Sequence, residues 1–187
     1  YYPSRVEEQL LAEWAETDAP RIYRREVLAE WVDEAGAYFT STELDGAVKD
    51  FELTPPERGH ELGQVVGGVD WGFSHDANTL AVIAALPELD ARGRTRYRLV
   101  WVQEAFSTPY ADWVDTVVQA AHGFRFVALA AETNGVGGMP VQSLTKALWD
   151  AGRGDVVVPV ATSARVKEDA FGFAKLLIQQ DRLELPR

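Results

Sequence analysis

The chain has 187 residues, 47% of them hydrophobic, which suits one folded domain with an appendage. The absence of cysteine excludes disulfides and thiolate metal sites. The sequence contains no run of about 18 apolar residues, which is the length that a membrane-spanning helix needs. The net charge of -11 excludes a general DNA-coating protein, which would be basic, but it permits a nucleic-acid enzyme whose carboxylates hold cations.

The first third of the chain predicts helices followed by a linker. Apolar residues at helical spacing indicate helices over residues 5–18 and 22–32. A short helix is predicted from Ser41, which is itself a candidate cap. Residues 52–63, ELTPPERGHELG, contain two prolines and two glycines, as is typical of a linker. We therefore interpret residues 1–63 as a helical connecting segment.

The remaining residues, 64–187, predict a compact α/β domain. Three strands come first, and helices then alternate with strands. The predicted strands cover 65–69, 79–86, 97–106, 126–131, 155–160 and 183–185, and the predicted helices cover 109–122, 138–151 and 164–180. We expect the strands over 126–131 and 155–160 to be buried, because they are almost wholly apolar. The order predicts a mixed sheet, with three antiparallel strands and then parallel strands, and helices on both faces.

Two carboxylates end strands that are otherwise apolar. Asp70 ends VVGGVD and Glu132 ends FVALAAE, and a glycine-containing turn follows each. If the two strands are parallel neighbours, the carboxylates lie side by side, where a divalent cation would relieve their repulsion. A strand-terminal Asp also caps turns, so a purely structural role for Asp70 stays open. Asp76, in the turn after Asp70, is either a peripheral ligand or an ordinary turn residue.

Basic residues are concentrated in two places. Arg92, Arg94, Arg96 and Arg98 alternate through ARGRTRYR, and an extended strand would put all four on one face. Such a ridge would either contact DNA phosphates or discourage pairing at a sheet edge. Arg165 and Lys167 begin the last long helix, where they either face the site or form a solvated helix end.

VGGVDWGFSHDANTLAVI, followed by FVALAAETNGVGG, resembles the nuclease domain of phage large terminase subunits. IYRREVLAEWVDEAGAYF resembles the segment that joins their ATPase domain to the nuclease. The resemblance implies an RNase H-like fold and a metal-dependent endonuclease that cuts concatemeric double-stranded DNA during packaging. Asp70 matches the aspartate that bridges two Mg²⁺ or Mn²⁺ ions, and Glu132 matches the second acidic ligand. Asp76 lies where some members have an auxiliary acid.

The resemblance also implies partners and a location. The partners are double-stranded DNA, the terminase ATPase domain, the portal protein and the small terminase subunit. Assembly would take place at the procapsid in the host cytoplasm, with no membrane involved.

Two features depart from the family pattern. The family's third ligand is an aspartate of a C-terminal segment, and neither Asp169 nor Asp181 matches it. No GxxxxGK[ST] phosphate loop occurs, so the ATPase motifs are missing. We expect a nuclease domain cut short at its C-terminus, whose third acidic ligand would come from residues beyond Arg187 or from a rearranged site. Whether the chain cuts DNA without that ligand stays open from the sequence.

Three alternative functions remain open from the sequence. The first is a non-catalytic module that docks the motor onto the portal or DNA, which the missing third ligand favours. The second is another RNase H-like nuclease, such as a Holliday-junction resolvase, because GVDWG after a strand fits that class too. The third is an ATPase of the actin and sugar-kinase type, for which ETNGVGG is a poor phosphate-binding turn.

Overall fold

A computed structural model describes residues 38–72 and 76–187. The chain divides into two units, Tyr1–Leu44 and Asp45–Arg187. The helices predicted over 5–18 and 22–32 lie outside the described residues, and the assignment of residues 1–63 to a connecting segment stays a prediction. No described helix has the length and apolar character that crossing a membrane requires.

Helix α1 (Ser41–Ala47) begins with a capping box. The backbone N–H of Glu43 donates to Thr40 Oγ1 at 3.2 Å, and the backbone N–H of Thr40 donates to Glu43 Oε2 at 2.9 Å. The prediction that Ser41 caps this helix is therefore wrong. Thr40 is the cap because the glutamate that completes the box lies three residues after it.

A seven-stranded mixed sheet lies at the centre of the second unit. Its strands are β1 (Val48–Lys49), β2 (Gln64–Asp70), β3 (Ala77–Leu89), β4 (Thr95–Phe106), β5 (Arg125–Glu132), β6 (Val157–Val160) and β7 (Leu183–Pro186). The strand order is β1-β7-β4-β3-β2-β5-β6. β3 pairs antiparallel with both β2 and β4, and all other neighbours are parallel. This confirms the predicted mixed sheet, because chain segments joined by hairpins pair antiparallel and those joined through helices pair parallel.

Helices pack around the sheet, as predicted. They are α2 (Tyr110–Gly123), α3 (Gly138–Asp150) and α4 (Ala164–Gln179). Each observed end lies within one residue of the predicted end. Shorter 3-10 helices cover Pro56–Leu62, Gly135–Gly137 and Gly154–Val156.

One face of the sheet forms the main core with α2 and α3. Its strand residues include Val65, Val69, Leu80, Val82 and Leu129, all buried. The two helices contribute Trp113, Val117, Leu144 and Leu148. Because side chains alternate along a strand, the residues between these strand positions point to the opposite face.

We call that opposite side the carboxylate face. We define it by Val66, Gly68 and Asp70 of β2, Thr79 and Ala81 of β3, Glu104 of β4, and Ala130 and Glu132 of β5. Val127 and Val158 are 50% and 46% exposed, so the predicted burial of β5 and β6 is wrong for part of each strand. The apolar sequence reflects one packed face, and β6 is an edge strand.

The predicted linker, residues 52–63, is part of the second unit and packs against its strands and helices. The backbone N–H of Thr54 donates to the carbonyl of Val100 at 2.8 Å. Within the 3-10 helix Pro56–Leu62, a Cβ on Gly59 would lie 2.4 Å from a ring carbon of Phe124. The prolines and glycines of this stretch therefore belong to a tight, packed turn. The same composition is also typical of a free linker, so composition alone could not distinguish the two.

Candidate functional site

Asp70 and Glu132 end neighbouring parallel strands. The register pairs Val69 with Ala131, so the next residues, Asp70 and Glu132, lie side by side. Adjacent strands are roughly 4.8 Å apart, and registered neighbours share a face. Asp70 is exposed and Glu132 is partly buried. The two strands are therefore parallel neighbours, which was the condition for the carboxylates to lie side by side. Carboxylate oxygens are ligands that a hard divalent cation prefers.

The row that contains this pair continues across the sheet to Glu104. Asp70 pairs with Thr79, and Thr79 pairs with Glu104, so all three point to the carboxylate face. Glu104 lies two strands from Asp70, which corresponds to roughly 10 Å. Sequence reasoning missed this glutamate, because an exposed Glu in an alternating strand is typical of an ordinary solvent-facing position.

Two carboxylates alone do not complete a metal site. Within residues 38–72 and 76–187, no three His, Asp or Glu side chains come together in a way that could hold an ion. Asp76 is exposed and directly precedes β3, and its role as a peripheral ligand stays a prediction. Asp169 and Asp181 contact Arg165 and Lys49 respectively, at 3.9 and 3.2 Å.

Close backbone contacts shape the turns that follow the two carboxylates. A Cβ on Gly72 would lie 2.3 Å from the carbonyl oxygen of Asp76. A Cβ on Gly137 would lie 2.1 Å from the carbonyl oxygen of Glu132. Any larger residue at either position would displace backbone, so glycine lets each chain turn away closely from its strand end.

The start of α4 is tied to the same edge of the sheet. Both the backbone N–H and the hydroxyl of Thr133 donate to the carbonyl of Val160, at 2.8 and 3.1 Å. Ser163 then caps α4 by accepting from the backbone N–H of Val166. Arg165 and Lys167 lie in the first turn with exposed side chains. The structure therefore places these two predicted DNA contacts near the C-terminal ends of β5 and β6.

The four alternating arginines lie at the start of β4 and in the loop before it, away from Glu104. Arg98 is six residues before Glu104, which in a strand corresponds to about 20 Å. Arg96 Nη2 donates to Glu184 Oε1 at 2.5 Å, and Arg98 Nε donates to Glu184 Oε2 at 2.7 Å. Glu184 is 5% exposed, so the structure holds these two guanidinium groups with a buried carboxylate of β7.

The prediction that all four arginines share one strand face is wrong. Arg92 and Arg94 lie in the loop before β4, where Asp90 Oδ1 accepts from both of their backbone N–H groups. These bonds curl the loop, and the Arg94 backbone N–H is the main cause that lowers the pKa of Asp90 to about 2. Only Arg96 and Arg98 share a face, and DNA contact by the four arginines stays a prediction.

Removal of the Glu184 charge should destabilise the fold. Glu184→Gln would leave Arg96 and Arg98 without their carboxylate. Loss of one partner of a fully buried ion pair costs about 3–5 kcal/mol, and the partial exposure of both arginines reduces the expected cost to about 2 kcal/mol. The melting temperature should fall by roughly 4–8 °C, measured by circular dichroism. Glu88→Gln, at an exposed position of β3, is the control, and an equal shift in both variants would contradict the prediction.

Comparisons with solved structures identify a shared fold. The chain matches the large terminase nuclease of the thermophilic phage G20c with bound magnesium at a TM-score of 0.59 and 18% identity, covering 82% of this chain and 75% of that one. It matches the HK97 bacteriophage large terminase at a TM-score of 0.57 and 11% identity, covering 99% of this chain and 41% of that one. The Thermus phage P74-26 large terminase nuclease domain matches at a TM-score of 0.55 and 16% identity, over 78% and 70% of the two chains.

No family model and no curated protein matches the sequence. The likeness is therefore one of three-dimensional structure at low identity, and it shows the fold. The mixed sheet and its surrounding helices have the RNase H-like fold of phage large terminase nuclease domains.

Proposed function

We propose that this chain is a divalent-metal-dependent endodeoxyribonuclease domain of a viral DNA-packaging motor, which cuts concatemeric double-stranded DNA by two-metal hydrolysis. The observation that supports it most is the adjacency of Asp70 and Glu132 at the ends of parallel strands. The shared fold adds weight, because the G20c nuclease structures contain bound magnesium, cobalt or zinc.

The proposal gives each carboxylate a role. Asp70 would bridge two Mg²⁺ or Mn²⁺ ions, Glu132 would hold one of them, and Asp76 would be a peripheral ligand. When bound, such ions activate the attacking water and stabilise the leaving oxygen of the phosphodiester. The chain's own contribution is to hold two acceptor-only groups side by side on an exposed sheet face, and a third acidic ligand would complete the set.

DNA contacts would come from two groups of basic residues. Arg165 and Lys167 lie near the strand ends, so they would bind phosphates close to the cleavage point. Arg92, Arg94, Arg96 and Arg98 lie at the start of β4 and in the loop before it. Arg98 is about 20 Å along β4 from Glu104, and 20 Å corresponds to roughly six base pairs of duplex. The further partners in this proposal are the terminase ATPase domain, the portal protein and the small terminase subunit, with assembly in the host cytoplasm.

Cleavage of supercoiled plasmid tests the proposed function. The wild-type chain is incubated with Mn²⁺, with Mg²⁺ and with a chelator, beside Asp70→Asn. We expect nicking that needs the metal and disappears in the variant. Metal-independent nicking, or equal nicking by Asp70→Asn, would contradict the assignment. DNA binding without any cleavage would instead favour the docking module.

The salt dependence of DNA affinity tests the contacts near the strand ends. Arg165→Ala combined with Lys167→Ala should weaken DNA binding and reduce the slope of log affinity against log salt by up to about 2. Arg58→Ala combined with Lys146→Ala removes two other partly or fully exposed cations and should leave the slope closer to wild type. Equal slopes in the two double variants would remove Arg165 and Lys167 from the proposed interface.

A further inference from the structure

The chain is held by side chains immediately after Asp70, where β2 ends. Both backbone polar groups of Gly72 are bonded in this way. The Gly72 N–H donates to Asn78 Oδ1 at 3.1 Å, and the Tyr110 hydroxyl donates to the Gly72 carbonyl at 2.9 Å. Asn78 belongs to β3 and Tyr110 is the first residue of α2, so two separate elements hold the two peptide groups on either side of the Gly72 Cα.

Asn78 is anchored on its other side as well. It is 2% exposed, and its Nδ2 donates to the carbonyl of Thr108 at 3.3 Å. A buried amide needs its hydrogen bonds, so Asn78 has little freedom to release Gly72. The amide thus links the turn after β2 to the loop that leads into α2.

Trp71 connects this region to the turn after Glu132. Its ring lies edge-to-face against Tyr110, with the centroids 6.2 Å apart and the planes at 85°. Its Cδ1 lies 3.1 Å from the position that a Cβ on Gly137 would occupy. Gly137 in turn packs against the backbone of Glu132. Trp71 is 7% exposed, so a close-packed path runs from Tyr110 to the backbone of Glu132.

We propose that Asn78 and Tyr110 are positioning residues that hold the Asp70 carboxylate beside Glu132 for metal binding. The proposal rests on the proposed function, because it assumes that the two carboxylates bind a divalent ion. Asp70 is the last strand residue, and the ladder that orients it ends there. The hydrogen bonds from Asn78 and Tyr110 to Gly72 hold the backbone just beyond the end of the strand pairing. They thereby restrict the orientation of the neighbouring Asp70 carboxylate.

Removal of one hydroxyl tests this proposal. Tyr110→Phe deletes the bond to Gly72 and keeps the ring against Trp71, so we expect the fold to remain. The matched control is Tyr97→Phe, which removes a hydroxyl near the far end of β4. The first measurement is the affinity of each purified chain for Mn²⁺ by calorimetry, together with the melting temperature. The second is amide exchange at Gly72 by nuclear magnetic resonance.

The expected result is specific to Tyr110→Phe. Its Mn²⁺ affinity should fall about tenfold, in the range that outer-shell partners contribute, and the Gly72 amide should exchange faster. Tyr97→Phe should match wild type in both. If Tyr110→Phe unfolds, Asn78→Thr replaces it, because threonine suits a strand and removes the amide group that accepts from Gly72 and donates to Thr108.

The outcomes separate the two proposals. If wild type binds Mn²⁺ and the Tyr110 variant binds it equally well, the positioning role is overturned and the proposed function stands. If Tyr110→Phe and Tyr97→Phe lose affinity to the same extent, the effect is a general loss of stability and the positioning role is again overturned. If wild type itself binds no Mn²⁺, the proposed function fails and the positioning role fails with it.

Discussion

Replacement of Glu132 by glutamine should abolish metal-dependent DNA cleavage, whereas replacement of Glu104 should preserve most of it. Both residues belong to one row on the carboxylate face, and each substitution removes one negative charge. Glu132 is adjacent to Asp70, whereas Glu104 is two strands away. If the ions sit between adjacent strand ends, only Glu132 can share an ion with Asp70.

The expected size of this effect follows from the number of ligands available. Asp70 and Glu132 are the two adjacent carboxylates on this row, so loss of either leaves a single charged ligand there. We expect the cleavage rate of Glu132→Gln at saturating Mn²⁺ to fall by at least about a hundredfold. Initial rates of plasmid nicking measure it. Comparable losses in both variants would contradict metal coordination by the adjacent pair. They would show instead that the summed negative charge of the row supports cleavage.

Substitution of Gly68 by a larger residue should block the access of DNA to Asp70 and leave the fold intact. Gly68 lies two residues before Asp70, so it shares the carboxylate face, and a Cβ there would meet nothing within 4 Å. Its neighbours across the sheet, Ala81 and Ala130, are also small. A phosphate backbone that reaches Asp70 along β2 would pass close to these small residues, so a bulky side chain at position 68 would keep it away.

A graded series tests this steric argument. Gly68→Ala, Gly68→Val and Gly68→Leu should lose activity in order of size, reaching roughly a hundredfold for leucine. β-Branched valine should keep or raise the melting temperature, because it suits a strand better than glycine. DNA affinity and nicking rate are measured at fixed Mn²⁺. Activity independent of side-chain size would contradict an approach of DNA across this face.

Two control positions isolate the cause. Ala85→Leu places the same leucine side chain on β3 near the far end of the sheet and should leave activity unchanged. Gly67→Val should lower the melting temperature instead, because a Cβ on Gly67 would lie 2.7 Å from side-chain carbons of both Leu129 and Phe126. Adjacent glycines thus have opposite sensitivities, which follows from strand alternation.

Within residues 64–187, local patterns were sufficient for most helices and strands, and they singled out the two carboxylates that end β2 and β5. Strand alternation and helical spacing depend on near neighbours, so most boundaries could be read directly. Asp70 and Glu132 stood out because each places a charge at the end of an apolar run. The resemblance to large terminase nucleases then predicted the fold, which the solved structures share.

Long-range contacts decided what local spacing could not. The alternating arginines predicted one basic face, but Asp90 curls the loop around Arg92 and Arg94. Glu184, more than eighty residues later in the chain, binds Arg96 and Arg98. A period of two describes side-chain direction only while the chain stays extended, and it says nothing about which partner another strand supplies.

The sequence by itself therefore determined which residues end strands and which faces alternate, because those properties depend on neighbours in the chain. Only the tertiary structure decided that Asp70 and Glu132 are adjacent, since parallel pairing of β2 and β5 brings together residues separated by a hairpin and a helix. It also decided the hydrogen bonds of Asn78 and Tyr110. Their shared partner, Gly72, lies outside both β3 and α2, and no local pattern indicates a hydrogen bond that forms only when these separate parts of the chain pack together.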